Sequence, residues 1–350
     1  MKHSNRKTLH IAVTGINACD NPGPGIGVAR SLKEVADVDV CISGLAYDAM
    51  EPGIYMDQFV DQAFLIPYPK AGIEELFNRL IYIKQSHGMD MVIPTLDSEL
   101  PLYMALQERL LKQGIHAFLP SPEQFALRGK DRLQEAAACS GICSPVQEAV
   151  HSFEELAIAT GKIGFPVMVK GAIYDAYHVE NLDEAVTAFS RIVARFGYPV
   201  IVQQAIRGEQ MNVICVGDGD GDSLGMVGVK KMSTTEKGKI WTGVTIHNDR
   251  VMEATRQFVQ KTKWRSAFEM ECIVDDEQVY LIEVNPRFPA WVYFATGIGI
   301  NLPERMMRKT LGQSYSQSTS YASGQLYVRY TQERICDMSR FQNMVTRGQS

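Results

Sequence analysis

Three observations in the sequence predict an α/β fold that joins a parallel sheet in its first third to an antiparallel element near its end. Short apolar runs at Leu9–Thr14, Val38–Ser43, Phe64–Ile66 and Met91–Ile93 are followed or separated by helical patterns, notably Ile73–Gln85 and Leu100–Lys112. Strands that alternate with helices imply a parallel sheet covered on both faces. A glycine-rich loop, Pro22-Gly23-Pro24-Gly25-Ile26-Gly27, leads from the first strand into a helix through Val28–Lys33. Far downstream, Ala267–Phe288 places two apolar-rich runs around the acidic turn Asp275-Asp276-Glu277, which is the signature of a hairpin.

Composition narrows the function classes. With 350 residues the chain has room for two or three domains, and 45% hydrophobic with 21% charged residues is ordinary for a globular protein. A formal net charge of −5 argues against a general nucleic-acid binder, which needs a basic face to displace counterions. No apolar run reaches membrane-spanning length, and Met1–Lys7 leads into a short strand rather than a signal-peptide core, so a cytoplasmic protein with neither nucleic-acid nor membrane partners is expected. The seven cysteines are scattered, with no pair at zinc spacing, and suggest neither a disulfide framework nor a zinc site.

Taken in order, the glycine loop lacks dinucleotide spacing, and no acidic residue ends the second strand to take a ribose. Its glycines are expected to let the helix pack tightly on the strand. Asp97 and Glu99 follow the fourth strand near the crevice where such sheets bind ligands, although Asp97 reads first as the N-cap of the next helix. Pro120 and Pro122 mark a boundary, after which Gly129-Lys130-Asp131-Arg132 opens a helix to Cys139. Gly164–Lys170 is a turn and a strand closed by a lysine, a position that can project to an anion. Asp218–Ser223 mimics a calcium loop, but its twelfth position is Val229 rather than glutamate, so a hairpin turn is predicted. Trp241 either lines a pocket or fills the core. A helix from Leu302 to Leu311, a polar loop at Ser314–Ser320 and an edge strand near Gln325–Tyr330 complete the chain.

The hairpin carries the chemistry. With its loop near Glu277, Glu271 faces Glu283 and Glu269 faces Asn285, while Met270, Cys272 and Val274 form a core face with Tyr280, Ile282 and Val284. Like charges set opposite each other destabilise a sheet. Something positive should lie between them. Magnesium is commonly bound through one or two carboxylates plus nucleotide phosphates, and Glu271, Glu283 and Asn285 supply that oxygen set, with Arg287 beyond them suited to a phosphate. The alternative is a solvated acidic face; Asn285-Pro286-Arg287 tips the balance towards metal.

Ile282-Glu283-Val284-Asn285-Pro286-Arg287, preceded by Glu271, resembles the magnesium-binding strand pair of the ATP-grasp superfamily, and most closely its carbamoyl phosphate synthase-like members. The resemblance implies an ATP-grasp fold: a Rossmann-like pre-ATP-grasp domain over 1–120, an ATP-grasp domain over 121–312 with a lid at about 143–205, and a carboxyl-terminal loop and edge strand over 313–350. It implies ATP and two magnesium ions, or manganese in their place, held by Glu271, Glu283 and Asn285. It casts Arg132 and Lys170 on the ATP phosphates, the strand with Gln203, Gln204 and Ile206 on the adenine edge, Glu209 or Gln210 on the ribose, and Arg287, Lys230 and Lys239 at the acyl-phosphate and acceptor sites. The sequence departs from the family after Lys170. Where relatives carry glycine and serine, it has Gly171-Ala172-Ile173-Tyr174-Asp175-Ala176-Tyr177-His178, and Tyr174, Tyr177 and His178 either cover the nucleotide or pack within the lid.

The implied reaction is attack of a carboxylate on the γ-phosphate of ATP, giving an acyl phosphate and ADP, then displacement of phosphate by an amine. The expected partners are a small-molecule or peptide carboxylate and an amine, and the expected assembly is the homodimer commonest among soluble proteins. Two other readings stand beside this ligase. One is bicarbonate activation of the carbamoyl phosphate type, weakened by a length that accommodates one ATP site; the other is a nucleotide-binding scaffold, suggested by the missing glycine-rich lid.

Overall fold

The computed structural model describes residues 8–172, 175–236 and 238–350, so Met1–Lys7 and Tyr174 lie outside it. Its first sheet contains β1 (Thr8–Val13), β2 (Asp39–Ala46), β3 (Gln62–Leu65) and β4 (Met91–Ile93), all parallel, in the order β3-β2-β1-β4. Alternation along β1 sorts its side chains between two cores. Ile11 and Val13 join Val28, Ala29 and Leu32 of α1 (Gly25–Lys33). Ala12 joins Leu80 and Ile83 of α2 (Ile73–His87) and Leu106 of α3 (Leu100–Lys112).

The glycine loop does the packing work expected of it. A Cβ on Gly25 would stand 2.1 Å from the carbonyl oxygen of Thr14, and one on Gly27 would stand 2.7 Å from Cγ1 of Val292. The expected Asp97 cap is corrected. The residue before α3 is Glu99, which makes no side-chain cap. Its buried carboxylate instead accepts from the amides of Thr95 and Leu96 at 2.8 and 2.9 Å and is bonded to the hydroxyls of Thr14 and Tyr47, so it fixes the loop and leaves Asp97 free to face the crevice.

After α4 (Pro122–Ala126), closed by a Ser121–Gln124 capping box, a 3-10 turn at Lys130–Arg132 precedes α5 (Leu133–Ser140). A second, antiparallel sheet then forms from β5 (Gln147–Val150), β6 (Val167–Gly171), β7 (Ala176–Val179) and β8 (Val200–Gln204), ordered β5-β8-β6-β7. Helices α6 (Phe153–Ile163) and α7 (Leu182–Phe196) pack Leu156, Phe189 and Ile192 on it, giving this sheet, the region expected to form the lid, its own core. Tyr177 packs at the margin of that core and His178 is exposed beside Glu180, so both belong to the lid itself.

The third sheet is antiparallel and runs β13-β12-β9-β10-β11-β14, built from β9 (Glu209–Asp218), β10 (Ser223–Thr234), β11 (Ile240–Ile246), β12 (Arg265–Val274), β13 (Val279–Asn285) and β14 (Leu326–Val328). Asp218 closes the β9–β10 turn by accepting three backbone amides, so the stretch is a hairpin turn. One face of β12, with Phe268, Met270 and Cys272, packs on α8 (Asp249–Thr262) and α5. Ala267 lies on the opposite face, towards α9 (Val292–Gly297) and α10 (Leu302–Thr310).

Two details differ from expectation. The hairpin pairs Glu271 with Glu283 and Glu269 with Asn285, but a bulge beyond Glu271 then pairs Cys272 with Leu281. Ile282 is the extra residue of that bulge, so Leu281 and Val279 are buried where Ile282 and Tyr280 were expected. The tail is also more than a loop and edge strand. Helix α11 (Met338–Arg347) buries Met344 in the first core, and Gly348 and Ser350 bond backbone to backbone with Leu65 and Ala63 of β3.

Gly25→Ala is expected to cost about 3 kcal/mol or more, because its methyl meets backbone rather than a movable side chain. Urea denaturation checks this, and unchanged stability would contradict the packing account.

Candidate active site

Glu269, Glu271, Glu283 and Asn285 converge on the face of β12 and β13 that looks towards the first domain. Glu269 is buried and fully engaged. Its carboxylate accepts from Asn212 Nδ2 and Trp291 Nε1 at 2.7 Å each, from Asn285 Nδ2 at 3.3 Å, and from Arg287 Nη1 at 3.5 Å. Burial and the neighbouring Glu271 nevertheless push its pKa up. Glu271 accepts from Lys231 Nζ at 2.6 Å and Asn285 Nδ2 at 3.1 Å, and the Lys231 charge holds its pKa below the usual carboxylate range despite burial.

Glu283 is different. Among the described residues no side chain hydrogen-bonds its carboxylate, and desolvation together with Glu271 across the ladder pushes its pKa up. Lys130 and Lys170 act on it electrostatically from the lid side. The Lys130 ammonium is tied to the Gly171 carbonyl at 2.8 Å, and that of Lys170 to Gln203 Oε1 at 2.6 Å. Burial lowers the pKa of both, that of Lys170 to about 8. A cleft of about 410 Å³ opens here, lined by Phe125, Lys130, Ala172, Ile201 and Glu283 among others.

On the side away from Lys170, Arg287 links the end of β13 to the loop after β4. Its Nε lies 3.2 Å from Asp97 Oδ2, and Nη2 donates to Asn285 Oδ1 at 3.3 Å. Lys239 contacts the loop after β1, donating to the carbonyls of Pro22 at 2.8 Å and Asn21 at 3.4 Å. Burial, Arg287 and Arg329 push its pKa down to about 8.

The structure therefore gathers Glu271, Glu283, Asn285, Arg287, Lys170 and Gln203 of the residues singled out in the sequence, with Lys239 at the margin. Others it places apart. Lys230 points away from the carboxylates and is paired with Glu209 at the sheet surface, while Gln210 is exposed beside it. Arg132 is held by Glu135 at 2.6 Å on the surface. In each case the neighbouring basic residue is the one in the site. Lys231 replaces Lys230 because adjacent strand residues face opposite sides, and Lys130 replaces Arg132 because the 3-10 turn points Lys130 inward. Gln204 bonds with Val146 of the neighbouring segment, its backbone amide donating to the Val146 carbonyl at 2.8 Å, and Ile206 lies just past β8, half-buried. The sequence placed Glu269 opposite Asn285 and Asp97 near the crevice but did not tie either to Arg287, and it gave no sign that Trp291 would donate to Glu269. Trp241 is half-buried on β11, and its carbonyl receives the amide of Arg329.

Among the described residues no three His, Cys, Asp or Glu side chains form a metal cluster of their own. That donor set still fits a magnesium ion shared with a nucleotide, which draws most of its ligands from phosphate and water. The fit is seen in Glu283, an unpartnered carboxylate facing a second carboxylate, and in the Asn212 amide oxygen, buried nearby without a partner.

Several known proteins share sequence or fold with this chain. A family profile described as "ATP-grasp in the biosynthetic pathway with Ter operon" matches residues 197–334, which contain the whole acidic hairpin. Over 215 residues the chain is 26% identical to the carbamoyl phosphate synthase large chain of Lachnoclostridium phytofermentans, covering 57% of this chain and 20% of that one. The chain thus spans about a fifth of that relative's length. Its fold is similar to that of a biotin carboxylase–β,γ-ATP complex from Campylobacter jejuni (TM-score 0.67, 19% identity, 88% of this chain and 72% of that one). It is also similar to the N5-carboxyaminoimidazole ribonucleotide synthetase of Thermus thermophilus (TM-score 0.65, 13% identity, 89% and 81%). An L-amino acid ligase from Bacillus licheniformis gives a TM-score of 0.64 at 16% identity, covering 88% and 75%.

Lys231→Met leaves Glu271 as an unpaired buried charge and is expected to cost about 3 kcal/mol at pH 7. Because Lys231 depresses the Glu271 pKa, the pair stabilises above 4.5, the ordinary glutamate value, and that stabilisation is lost as pH falls through the depressed value. The difference between wild type and variant in urea denaturation should therefore shrink in acid. A pH-independent difference would contradict the pairing.

Proposed function

We propose that this chain, whose fold is that of the ATP-grasp proteins, is an ATP-dependent ligase that activates a carboxylate as an acyl phosphate and passes it to an amine. One observation carries the reading: Glu283 faces Glu271 with no side-chain hydrogen-bond partner among the described residues, between Lys130 and Lys170 on one side and Arg287 on the other. Glu271, Glu283 and Asn285 would hold magnesium, which supplies charge neutralisation on the ATP phosphates. Around that centre the chain's own residues position and stabilise. Lys170 and Lys130 approach the phosphates from the lid, and Gln203 fixes the Lys170 ammonium in place. Lys231 keeps Glu271 ionised, and Glu269, locked by Asn212 and Trp291, anchors Arg287 and Asn285. The backbone near Gln204 and Ile206 takes the adenine edge. Glu209 or Gln210 takes the ribose; Glu209 must first exchange its Lys230 partner for the hydroxyls.

In the first step an oxygen of the substrate carboxylate bonds to the γ-phosphorus as the bond to the bridging oxygen breaks, releasing ADP. In the second the amine adds to the acyl carbon and phosphate leaves, with loss of the amine proton. Arg287 is suited to the acyl phosphate formed between these steps because its planar fork matches paired oxygens. Charge positioned in advance is the source of catalysis, and no protein nucleophile is required.

Magnesium-dependent ADP formation with pooled carboxylates and amines tests the reading, and Glu283→Gln is expected to lower kcat by about a hundredfold or more. ATP binding without ADP formation in any pool would favour a scaffold instead, and AMP as product would overturn the acyl-phosphate route. With a Lys170 pKa of about 8, its ammonium is charged below that pH and neutral above it. The value of kcat/KM for ATP should therefore fall as pH rises through about 8, and Lys170→Arg should move that limb upward. A limb unmoved by Lys170→Arg would remove this lysine from the phosphates.

A further inference from the structure

The cations of the site fall into two groups. Lys130 and Lys170 lie within electrostatic reach of Glu283 on the lid side. Lys239 instead senses Arg287, Arg329, Cys19 and Asp97, and neither Glu271 nor Glu283 is among its main neighbours. Arg287 stands between the groups, in reach of Asp97 on one side and of Glu269, Glu271 and Glu283 on the other.

Among the described residues no carboxylate pairs directly with Lys239 or Arg329. Asp97 is committed to Arg287. Lys239 donates to the carbonyls of Asn21 and Pro22. Arg329 is fixed in place: its backbone amide donates to the Trp241 carbonyl at 3.0 Å, next to Lys239, and Nη2 donates to Ala290 O at 2.9 Å and Tyr327 Oη at 3.0 Å. Its Nε is buried with no hydrogen-bond partner among the described residues. A guanidinium held rigidly with an unused buried donor, beside a partly buried ammonium, is costly unless an anion completes it. Under the ligase reading the nucleotide phosphates go to Lys130 and Lys170 and leave this pair unanswered.

We propose that the acid substrate carries a second anionic group, a carboxylate or a phosphate, and that Lys239 and Arg329 bind it on the side of Arg287 away from the nucleotide phosphates. The inference rests on the ligase reading for which carboxylate reacts. The loop after β1 forms the wall of this subsite through its contacts with Lys239, so the first domain takes part in choosing the substrate. An acid with one carboxylate would leave both cations without an anion; a dianion would neutralise them and leave its other carboxylate at Arg287.

The test is isothermal titration of the full chain, loaded with magnesium and a non-hydrolysable ATP analogue. Pooled dicarboxylates and phosphocarboxylates are compared with monocarboxylates of equal carbon number. Wild type should prefer the dianions by about tenfold or more, and Arg329→Met and Lys239→Met should each bring the ratio towards one while the analogue still binds. Arg329→Lys, which keeps the charge but loses the fork, should fall between and controls for misfolding. Equal binding of the two pools by wild type, or an unchanged ratio in both variants, overturns the proposal. ADP release is read separately. Dianion preference without ADP in any pool counts against the ligase reading alone, and ADP released as readily with monoanions counts against the second anionic group alone.

Discussion

Glu271 and Glu283 face each other across the β12–β13 ladder where solvent reaches neither freely, and this repulsion organises its surroundings. Lys231 from β10 neutralises one carboxylate. The other is left without a direct partner, in reach of two lysines from the lid side. A protein in which structure alone was at stake would place an apolar pair here, since a ladder gains nothing from opposed carboxylates. The arrangement makes sense as a place kept ready for positive charge.

Glu269 is the fixed point behind this pair. By accepting from Asn212 on β9, Asn285 and Arg287 at the end of β13, and Trp291 beyond it, one buried carboxylate ties the central sheet to the segment that carries Arg287. Arg287 in turn reaches Asp97 after β4, so the two domains meet through a charge network rather than through apolar packing alone. Glu99 makes that contact available: by folding the loop after β4 onto itself, it directs Asp97 outward.

Much of this was legible in the sequence. The alternation of strands and helices gave the parallel sheet, and the spacing of Glu269, Glu271, Glu283 and Asn285 gave the register of the hairpin through its central pairs. The bulge at Ile282 was not legible, because period 2 carries no signal for an inserted residue. Facing was the other weak point. Lys230 and Lys231 are chemically alike, and only the pairing of β10 with β9 and β11 decides which one turns to Glu271. Lys130 and Arg132 stand two positions apart in a 3-10 turn, whose geometry no propensity scale fixes. Asp97 was misjudged because a polar residue ahead of a helix satisfies the rule for a cap, while a fully buried glutamate two residues later competes for the same backbone amides.

The acyl phosphate proposed for this site can be trapped directly. Incubation with ATP, magnesium, pooled acids and hydroxylamine should yield an acyl hydroxamate together with an equal amount of ADP, and both should form at least about a hundredfold more slowly in Glu283→Gln. Hydroxamate accompanied by AMP and pyrophosphate, or nucleotide binding with no hydroxamate from any acid, would contradict the account.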